Sequence, residues 1–194
     1  MSIEFYNKNA DEFYNGTVSA DMSVTCEKFL KYVVADGKIL DAGCGSGRDS
    51  LYFMKRGYEV VSFDASEQMV KFSSELTGQK TLHMKFQEVD FKKEFDGVWA
   101  CASLLHVTRS EMKDVLNKVV GSLKVNGIFF ASFKYGDGEV LRDERLFNSY
   151  NENSLKKLMA EIEHLEVVEI WTTQDVRPGR ENEKWVSCLC KNTK

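Results

Sequence analysis

The sequence lacks the features that define several large classes of protein. Its 194 residues contain one proline, and the longest apolar run, residues 98–102, is far too short to cross a membrane. The first twenty residues include three carboxylates and no long apolar stretch, so no signal peptide is expected. A net charge of −4 argues against a nucleic-acid backbone as the main partner. We therefore expect a cytoplasmic protein with neither membrane nor nucleic-acid partners.

The five cysteines provide neither a disulfide framework nor a metal-binding motif. No Cys-x-x-Cys pair occurs, and Cys188 and Cys190 have the spacing that places two side chains on one face of a strand. This usage is typical of small buried thiols in a reducing compartment. We expect free cysteines and no bound metal.

The order of the predicted elements indicates one α/β domain. Residues 1–36 show two helical patterns without a strand, so they should lie against the sheet edge or close over a ligand site. In residues 37–194, strands and helices alternate, which is the pattern of a parallel sheet. The last two strands follow one another directly and should form an antiparallel pair. Residues 134–150 are charged and irregular, so they are expected to form a lid or substrate loop.

The stretch from Lys38 to Ser50 carries the strongest functional signal. A short apolar strand ends in Asp41, and Gly43, Gly45 and Gly47 then alternate before a helical pattern begins. Glycine has no Cβ to block a ligand from the backbone, and the free N–H groups of the new helix point at the same place. The stretch predicts a nucleotide-type cofactor site at the first strand-to-helix turn of an open sheet.

A second carboxylate narrows the choice of cofactor. Asp64 follows Asp41 by 23 residues and ends the next strand, where it can accept hydrogen bonds from both ribose hydroxyls. A nicotinamide enzyme would also satisfy that feature. However, the glycines lack the Gly-x-Gly-x-x-Gly spacing, and Asp41 would repel a diphosphate while attracting an ammonium or sulfonium group. The residues favour S-adenosyl-L-methionine, which carries adenosine and both cations but no phosphate.

From Ile39 to about Val107, the chain resembles class I S-adenosylmethionine-dependent methyltransferases. The runs DAGCGSGRDSLY and RGYEVVSFD are similar in particular to the tellurite-resistance type of small methyltransferase. The resemblance implies a Rossmann-like, doubly wound sheet of seven strands in the order 3-2-1-4-5-7-6, with strand seven antiparallel. It also implies methyl transfer as the activity.

The same resemblance implies a set of cofactor-binding residues. Asp41, Gly43 and Gly45 would hold the methionine end, and Ala100 and Cys101 would lie beside it at the end of the fourth strand. Asp64 would bind the ribose, while Ala65, Met69, Asp90 and Phe91 would surround the adenine. Tyr14 would contact the cofactor from the N-terminal lid. Met69 and Phe91 are equally well interpreted as ordinary core residues.

The acceptor side of the reaction is indicated by a histidine and three arginines. His106 follows the fourth strand at the ligand-binding edge and is the candidate general base, although it could instead pack against or cap the next helix. Arg48, Arg177 and Arg180 fall on loops near that edge, and arginine forks suit carboxylates and oxyanions. They predict a small anionic acceptor, such as a chalcogen oxyanion, a thiol or a carboxylate-bearing metabolite. The alternative is solvated loop charge.

Two other classes of function remain open. The protein could bind the cofactor without turnover, as a sensor or as a partner of another protein, or it could be an NAD-dependent oxidoreductase. Nucleic-acid methylation is not indicated, because Pro178 is followed by Gly179 and therefore forms neither the Pro-Pro-aromatic nor the Pro-Cys motif of such enzymes. A small-molecule acceptor is the favoured partner.

Overall fold

A computed structural model describes residues 2–194, so residue 1 of the predicted N-terminal segment lies outside it. Within these residues, the strands are β1 (Lys38–Ala42), β2 (Glu59–Asp64), β3 (Leu82–His83), β4 (Phe95–Ala100), β5 (Leu123–Lys134), β6 (Gly138–Arg142), β7 (Arg145–Ser149), β8 (Leu165–Gln174) and β9 (Lys184–Asn192). The helices are α1 (Ser2–Lys8), α2 (Ala10–Thr17), α3 (Ser23–Leu30), α4 (Arg48–Met54), α5 (Glu67–Thr77), α6 (Arg109–Gly121) and α7 (Glu152–Ala160). Each of the predicted strands is present.

Seven strands form the main sheet in the order β3-β2-β1-β4-β5-β9-β8. The first five are parallel to one another, and β9 runs antiparallel to both β5 and β8. The predicted order and the predicted reversal of the seventh strand are therefore confirmed. Because parallel strands end at one edge, this topology brings the residues that follow β1, β2, β4 and β5 together.

Aromatic side chains fix α3 and α4 to one face of the sheet. Trp99 on β4 stacks on Phe130 of β5 with ring centroids 4.0 Å apart, and Phe29 of α3 lies 5.2 Å from Trp99. Phe53 of α4 meets both Phe29 and Trp99. All four rings are fully buried. This cluster holds α4, the helix that follows the glycine turn, against the central strands.

The other face of the sheet carries a larger aliphatic core. Leu116 and Val119 of α6, together with Leu155 and Met159 of α7, are fully buried there, as their helical spacing predicts. Stacking of helices on both faces gives the doubly wound arrangement. None of the helices in residues 2–194 has the length and apolarity needed to cross a bilayer.

The structure corrects two local expectations. Residues 134–150 were expected to be irregular, but β6 and β7 pair there as an antiparallel hairpin whose turn, Asp143 and Glu144, has φ of 48° and 60°. A turn of this kind usually contains glycine or asparagine, so the sequence gives little indication of it. The first helical segment is also divided at Asn9 into α1 and α2, which gives three N-terminal helices instead of two.

Gly97 is the position where the aromatic cluster approaches the sheet most closely. A Cβ at this residue would lie 2.7 Å from Cζ of Phe29, whose ring is buried and has no room to move. We expect Gly97→Ala to lower the free energy of unfolding by about 1–3 kcal/mol because the added methyl group overpacks the core. Thermal unfolding measures this loss.

The matched control is Gly121→Ala at the end of α6, where a Cβ would meet nothing within 4 Å. It should leave stability unchanged or raise it slightly, because alanine favours a helix over glycine. Equal unfolding temperatures for the two variants would contradict this packing argument.

Candidate active site

Two of the three glycines in the turn pack closely against neighbouring side chains. The backbone φ is 75° at Gly43 and 80° at Gly47, a region that other residues rarely adopt. A Cβ would lie 2.5 Å from Cβ of Ser103 at Gly43, and 2.6 Å from Oγ of Ser73 at Gly47. Gly45, with φ of 53°, has only the ring of Phe13 nearby, at 3.6 Å. The turn therefore packs tightly at both ends and is most open in its middle.

Asp41, at the carboxyl end of β1, is a buried carboxylate without a cationic partner among residues 2–194. Its side chain is 2 % exposed and accepts one hydrogen bond, from Oγ of Ser50 at 2.6 Å. The nearest guanidinium, Arg48, binds Asp49 instead, through two hydrogen bonds of 2.6 and 2.9 Å. Asp49 also accepts the indole N–H of Trp99 at 2.9 Å. Asp49 is thus paired with a cation and fully hydrogen-bonded, whereas Asp41 is not.

This unequal pairing changes the charge of Asp41. Burial, followed by the negative charge of Asp49, raises the pKa of Asp41 to about 8. The protonated, neutral form of this carboxyl group is therefore favoured in the free protein. A ligand that brings a cation to this point would supply the missing partner and favour the ionised form.

Asp64, at the end of β2, stands on the opposite side of the glycine turn. Its two oxygens accept the backbone N–H groups of Gly45 at 2.9 Å and Ser66 at 2.8 Å. Burial raises the pKa of Asp64, and these two N–H groups oppose the shift. The hydrogen bond from Gly45 couples the carboxylate directly to the open middle of the turn. A carboxylate held in this way keeps lone pairs available for ligand hydroxyls.

A cavity of about 830 Å³ opens at the carboxyl edge of the sheet. It lies between the glycine turn, the residues after β4, the end of β5, the β6–β7 hairpin and the β8–β9 connection. Eight of the residues predicted for the site line it: Asp41, Gly43, Gly45, Arg48, Cys101, His106, Arg177 and Arg180. The structure thus brings the proposed methionine-end and acceptor-side residues to one place.

The other predicted residues lie away from this cavity. Asp64, Ala65 and Met69 lie at the end of β2 and the start of α5, where Asn7 of α1 accepts a hydrogen bond from Ser66. The ring of Tyr14 is 4.7 Å from that of Phe72. Ala100 is buried in the sheet, Phe91 packs edge-on against Phe95, and Asp90 is exposed and pairs with Lys92 at 2.8 Å.

His106 lies in the cavity wall with both ring nitrogens engaged. Nδ1 is 2.7 Å from the carbonyl oxygen of Leu146, which can only accept, so Nδ1 carries the hydrogen. Nε2 is then the acceptor for the hydroxyl of Tyr6 at 2.8 Å. Burial lowers the pKa of His106 to about 4. The histidine is neutral at pH 7 and joins α1 to the β6–β7 hairpin.

Sequence reasoning missed several residues of the cavity. Tyr6 and Phe13 come from α1 and α2, whereas Arg145 and Phe147 come from the unexpected hairpin. Phe86 also lies close to the turn, because its ring would be 3.4 Å from a Cβ at Gly43. The apolar face of the first helical segment was the available signal for the aromatic residues. Nothing in the local sequence indicated Arg145.

Two of the predicted arginines already have carboxylate partners. Arg48 binds Asp49 as described, and Arg177 binds Asp175 through hydrogen bonds of 2.9 and 2.6 Å. Arg180 is more exposed and approaches Glu183 at 3.4 Å. Residues 2–194 contain no group of three or more histidine, cysteine, aspartate or glutamate side chains that could hold a metal ion.

Residues 40–131 match the model of a family described as a methyltransferase domain. The probable S-adenosyl-L-methionine-dependent methyltransferase TehB of Haemophilus influenzae is 24% identical over 173 residues, which cover 85% of this chain and 59% of that protein. The magnesium-protoporphyrin O-methyltransferase of Rhodobacter capsulatus is 29% identical over 87 residues, which cover 42% of this chain and 39% of that protein. The match thus spans 59% of the length of TehB.

Solved structures of methyltransferases share the fold. The 1,6-didemethyltoxoflavin-N1-methyltransferase of Burkholderia thailandensis, with bound 1,6-didemethyltoxoflavin and S-adenosylhomocysteine, superposes with a TM-score of 0.77 at 21% identity. The match covers 100% of this chain and 86% of that chain. A TehB-like methyltransferase from Corynebacterium glutamicum gives 0.73 at 16% identity, covering 98% and 100% of the two chains. The family resemblance predicted from the sequence is confirmed.

The raised pKa of Asp41 predicts an unusual dependence of stability on pH. The pKa of Asp41 in the folded state lies above its value in the unfolded state. Its contribution to the free energy of unfolding is therefore complete at acidic pH and is lost as the pH rises through about 8. Asp41→Asn removes the titration. The free energy of unfolding of the variant relative to the parent, measured by thermal unfolding, should therefore increase from pH 5 to pH 8.5. The expected increase is up to roughly 1 kcal/mol per pH unit.

Asp90→Asn is the control, because Asp90 is exposed and has a lowered pKa. Its difference from the parent should stay constant over the same pH range. A constant difference for Asp41→Asn as well would mean that Asp41 is ionised in the free protein.

Proposed function

We propose that the chain transfers the methyl group of S-adenosyl-L-methionine to a small-molecule acceptor, a proposal supported by the match of residues 40–131 to a methyltransferase domain. The observation that carries the proposal is Asp41, a buried carboxylate without a cation at the glycine turn of this domain. The amino-acid end of the cofactor brings an ammonium group, which is the partner that Asp41 lacks. The adjoining cavity of about 830 Å³ provides the space for an acceptor.

The residues fit the parts of the cofactor in order along the sheet edge. Asp41, with the backbone of Gly43 and Gly45, would hold the methionine end, and Ala100 and Cys101 would border it. Asp64 would bind the ribose hydroxyls, with Ala65 and Met69 on the adenine side. When bound, the cofactor supplies an electrophilic methyl group on a sulfonium.

The adenine edge is the least defined part of the proposed site. Asp90 and Phe91 remain the residues proposed from the family resemblance. Phe86 lies close to the turn, since its ring would be 3.4 Å from a Cβ at Gly43, and it packs edge-on against Phe63 at 5.2 Å. We add Phe86 as a candidate for contact with the adenosine half.

The N-terminal helices would exclude water from the transfer. Phe13 faces Gly45 across the open middle of the turn, and Tyr6 reaches His106 at the other side of the cavity. Excluding water strengthens electrostatic interactions and prevents hydrolysis of the methyl donor. The ring of Tyr14 packs against that of Phe72. The lid contact proposed for Tyr14 would require this ring to contact both Phe72 and the cofactor.

We also propose that the acceptor is a small anion or carries a carboxylate. Arg48, Arg177 and Arg180 line the cavity and support this reading, together with the network of charges at its mouth. An acceptor would have to share Arg48 with Asp49 and Arg177 with Asp175, whereas Arg180 is freer to move. A general-base role for His106 would require the hydroxyl of Tyr6 to leave Nε2.

The alternatives differ from this proposal in measurable ways. A sensor of the same fold would bind the cofactor without forming S-adenosylhomocysteine. An oxidoreductase would bind NAD, whose diphosphate brings no cation to Asp41. The net charge of −4 supports a small molecule over a nucleic acid, and the five free cysteines support a cytoplasmic location.

Titration with S-adenosyl-L-methionine tests the cofactor assignment. Asp41→Asn and Asp64→Asn should each weaken binding by about tenfold or more, because each removes a charged partner in a buried site. Asp96→Asn is the control, since Asp96 pairs with Lys124 at the opposite edge of the sheet and should leave the affinity unchanged. Equal affinities for all three variants would remove the basis of the proposal.

Binding should also release a proton. If Asp41 is neutral in the free protein and ionised opposite the ammonium, about one proton should leave per cofactor bound at pH 7. Calorimetry in two buffers of different ionisation enthalpy measures that number. The release should vanish in Asp41→Asn, and a parent protein that releases no proton would place the cofactor's ammonium elsewhere.

An acceptor screen tests turnover. Formation of S-adenosylhomocysteine should be measured with thiols, carboxylates and chalcogen oxyanions as acceptors. Product formed only with particular acceptors supports the methyltransferase assignment. Tight cofactor binding without product from any acceptor would favour the sensor alternative.

A further inference from the structure

Arg145, at the start of β7, is a cavity residue whose charge has only an exposed carboxylate as its ionic partner. Its guanidinium carbon lies 4.1 Å from the ring centroid of Phe5 and 5.1 Å from that of Phe147. The side chain is 21 % exposed, and Nε is buried without a hydrogen-bond partner among residues 2–194. The nearest carboxylate, Asp143, is 3.8 Å away and mostly exposed. An unpaired polar group in such a position is costly unless a ligand satisfies it.

The other partly buried cations of the cavity differ from Arg145 in this respect. Arg48 and Arg177 each form a two-bonded pair with an aspartate, and Lys134 contacts both Asp175 and Glu183. Their charges are already balanced within the protein. Arg145 therefore offers a partly buried positive charge in the wall of the cavity that no buried carboxylate balances.

The surroundings of Arg145 hold it in place. The carbonyl oxygen of its neighbour Leu146 accepts from His106, and the backbone N–H of Leu146 donates to Oγ of Ser2 at 3.1 Å. His106 in turn accepts from Tyr6, whose pKa is raised by burial and lowered in part by Arg145. Stacking on the two phenyl rings leaves the guanidinium little freedom to turn. Arg145 is thus a preorganised cation, unlike the exposed Arg180.

His106 is not available as a free base beside Arg145. His106 is neutral with both nitrogens bonded, and the cavity carboxylates Asp49 and Asp175 are paired with arginines. An acceptor that arrives already ionised needs no proton removed before it attacks a methyl group. A fixed guanidinium is the complement of such an acceptor.

We propose that Arg145 is the residue that holds the acceptor, through a carboxylate or oxyanion group of the acceptor. The proposal rests on the proposed function, and it assigns to the hairpin residue Arg145 the part that the sequence had assigned to Arg177 and Arg180. His106 is then a positioning residue, which fixes the hairpin and the Tyr6 hydroxyl around the bound anion.

The test is the binding of small probes to the protein saturated with S-adenosylhomocysteine. Benzoate and selenite are the anionic probes, and benzamide is the neutral counterpart of benzoate. The parent should bind benzoate at least about tenfold more tightly than benzamide, and Arg145→Met should remove that preference. Benzoate should also shift the Nε–H signal of Arg145 in spectra of ¹⁵N-arginine-labelled parent protein, so the result does not depend on the folding of a variant.

Arg142→Met is the matched control. Arg142 lies directly opposite Arg145 on β6, also lines the cavity and carries the same charge, but it is solvent-exposed. It should retain most of the preference for benzoate. Arg145→Lys should retain part of it, because the charge remains and the two-pronged geometry is lost.

Three outcomes would overturn the proposal: no preference for benzoate in the parent, equal losses in Arg142→Met and Arg145→Met, or an unshifted Nε–H signal. Preference for selenite over benzoate would support the same site with an inorganic oxyanion as its ligand. Failure of the proposed function would give a different result. The protein would then bind neither S-adenosyl-L-methionine nor S-adenosylhomocysteine, while the response of Arg145 to benzoate could still be measured without cofactor.

Discussion

The two hydrogen bonds from Arg48 to Asp49 are the interaction on which the rest of the site depends. They neutralise Asp49, which also takes the indole N–H of Trp99 and so ties the start of α4 to the centre of the sheet. Because the guanidinium is used there, Asp41 remains buried with only a serine hydroxyl. The proposed preference for a cationic ligand would therefore follow from how the protein pairs its own charges, and a neutral ligand would leave Asp41 without a cationic partner.

The same pairing explains why the turn and the aromatic core cannot be separated. Trp99 donates to Asp49 from the cluster that also contains Phe29, Phe53 and Phe130. Displacing the Trp99 ring would move the carboxylate of Asp49, release Arg48 and change the charge at Asp41. Arg48 also donates a hydrogen bond to the carbonyl oxygen of Thr17 at the end of α2, which links the N-terminal helices to the same network. Stability and ligand preference are thus set by one network.

The residues proposed for the donor side lie close together in the sequence. Asp41, the alternating glycines and Asp64 are separated by fixed spacings, and the family resemblance implied the sheet order that the structure confirms. The acceptor side depends on contacts between distant segments. Tyr6 meets His106 across 100 residues, and His106 meets Leu146 across 40. The β6–β7 hairpin turns at Asp143 and Glu144 without glycine, so no local pattern indicated that Arg145 would face the cavity.

The position of the hairpin has a further consequence for specificity. β6 and β7 form their own two-stranded sheet outside the main one, and an isolated hairpin is marginally stable in water. Its placement therefore depends on contacts from Ser2, Phe5 and His106. Changes in the hairpin can alter the acceptor wall without disturbing the seven-stranded sheet or the glycine turn. The fold thus separates the glycine turn, which is fixed by the central strands, from a cavity wall formed by the hairpin, which side-chain contacts hold in place.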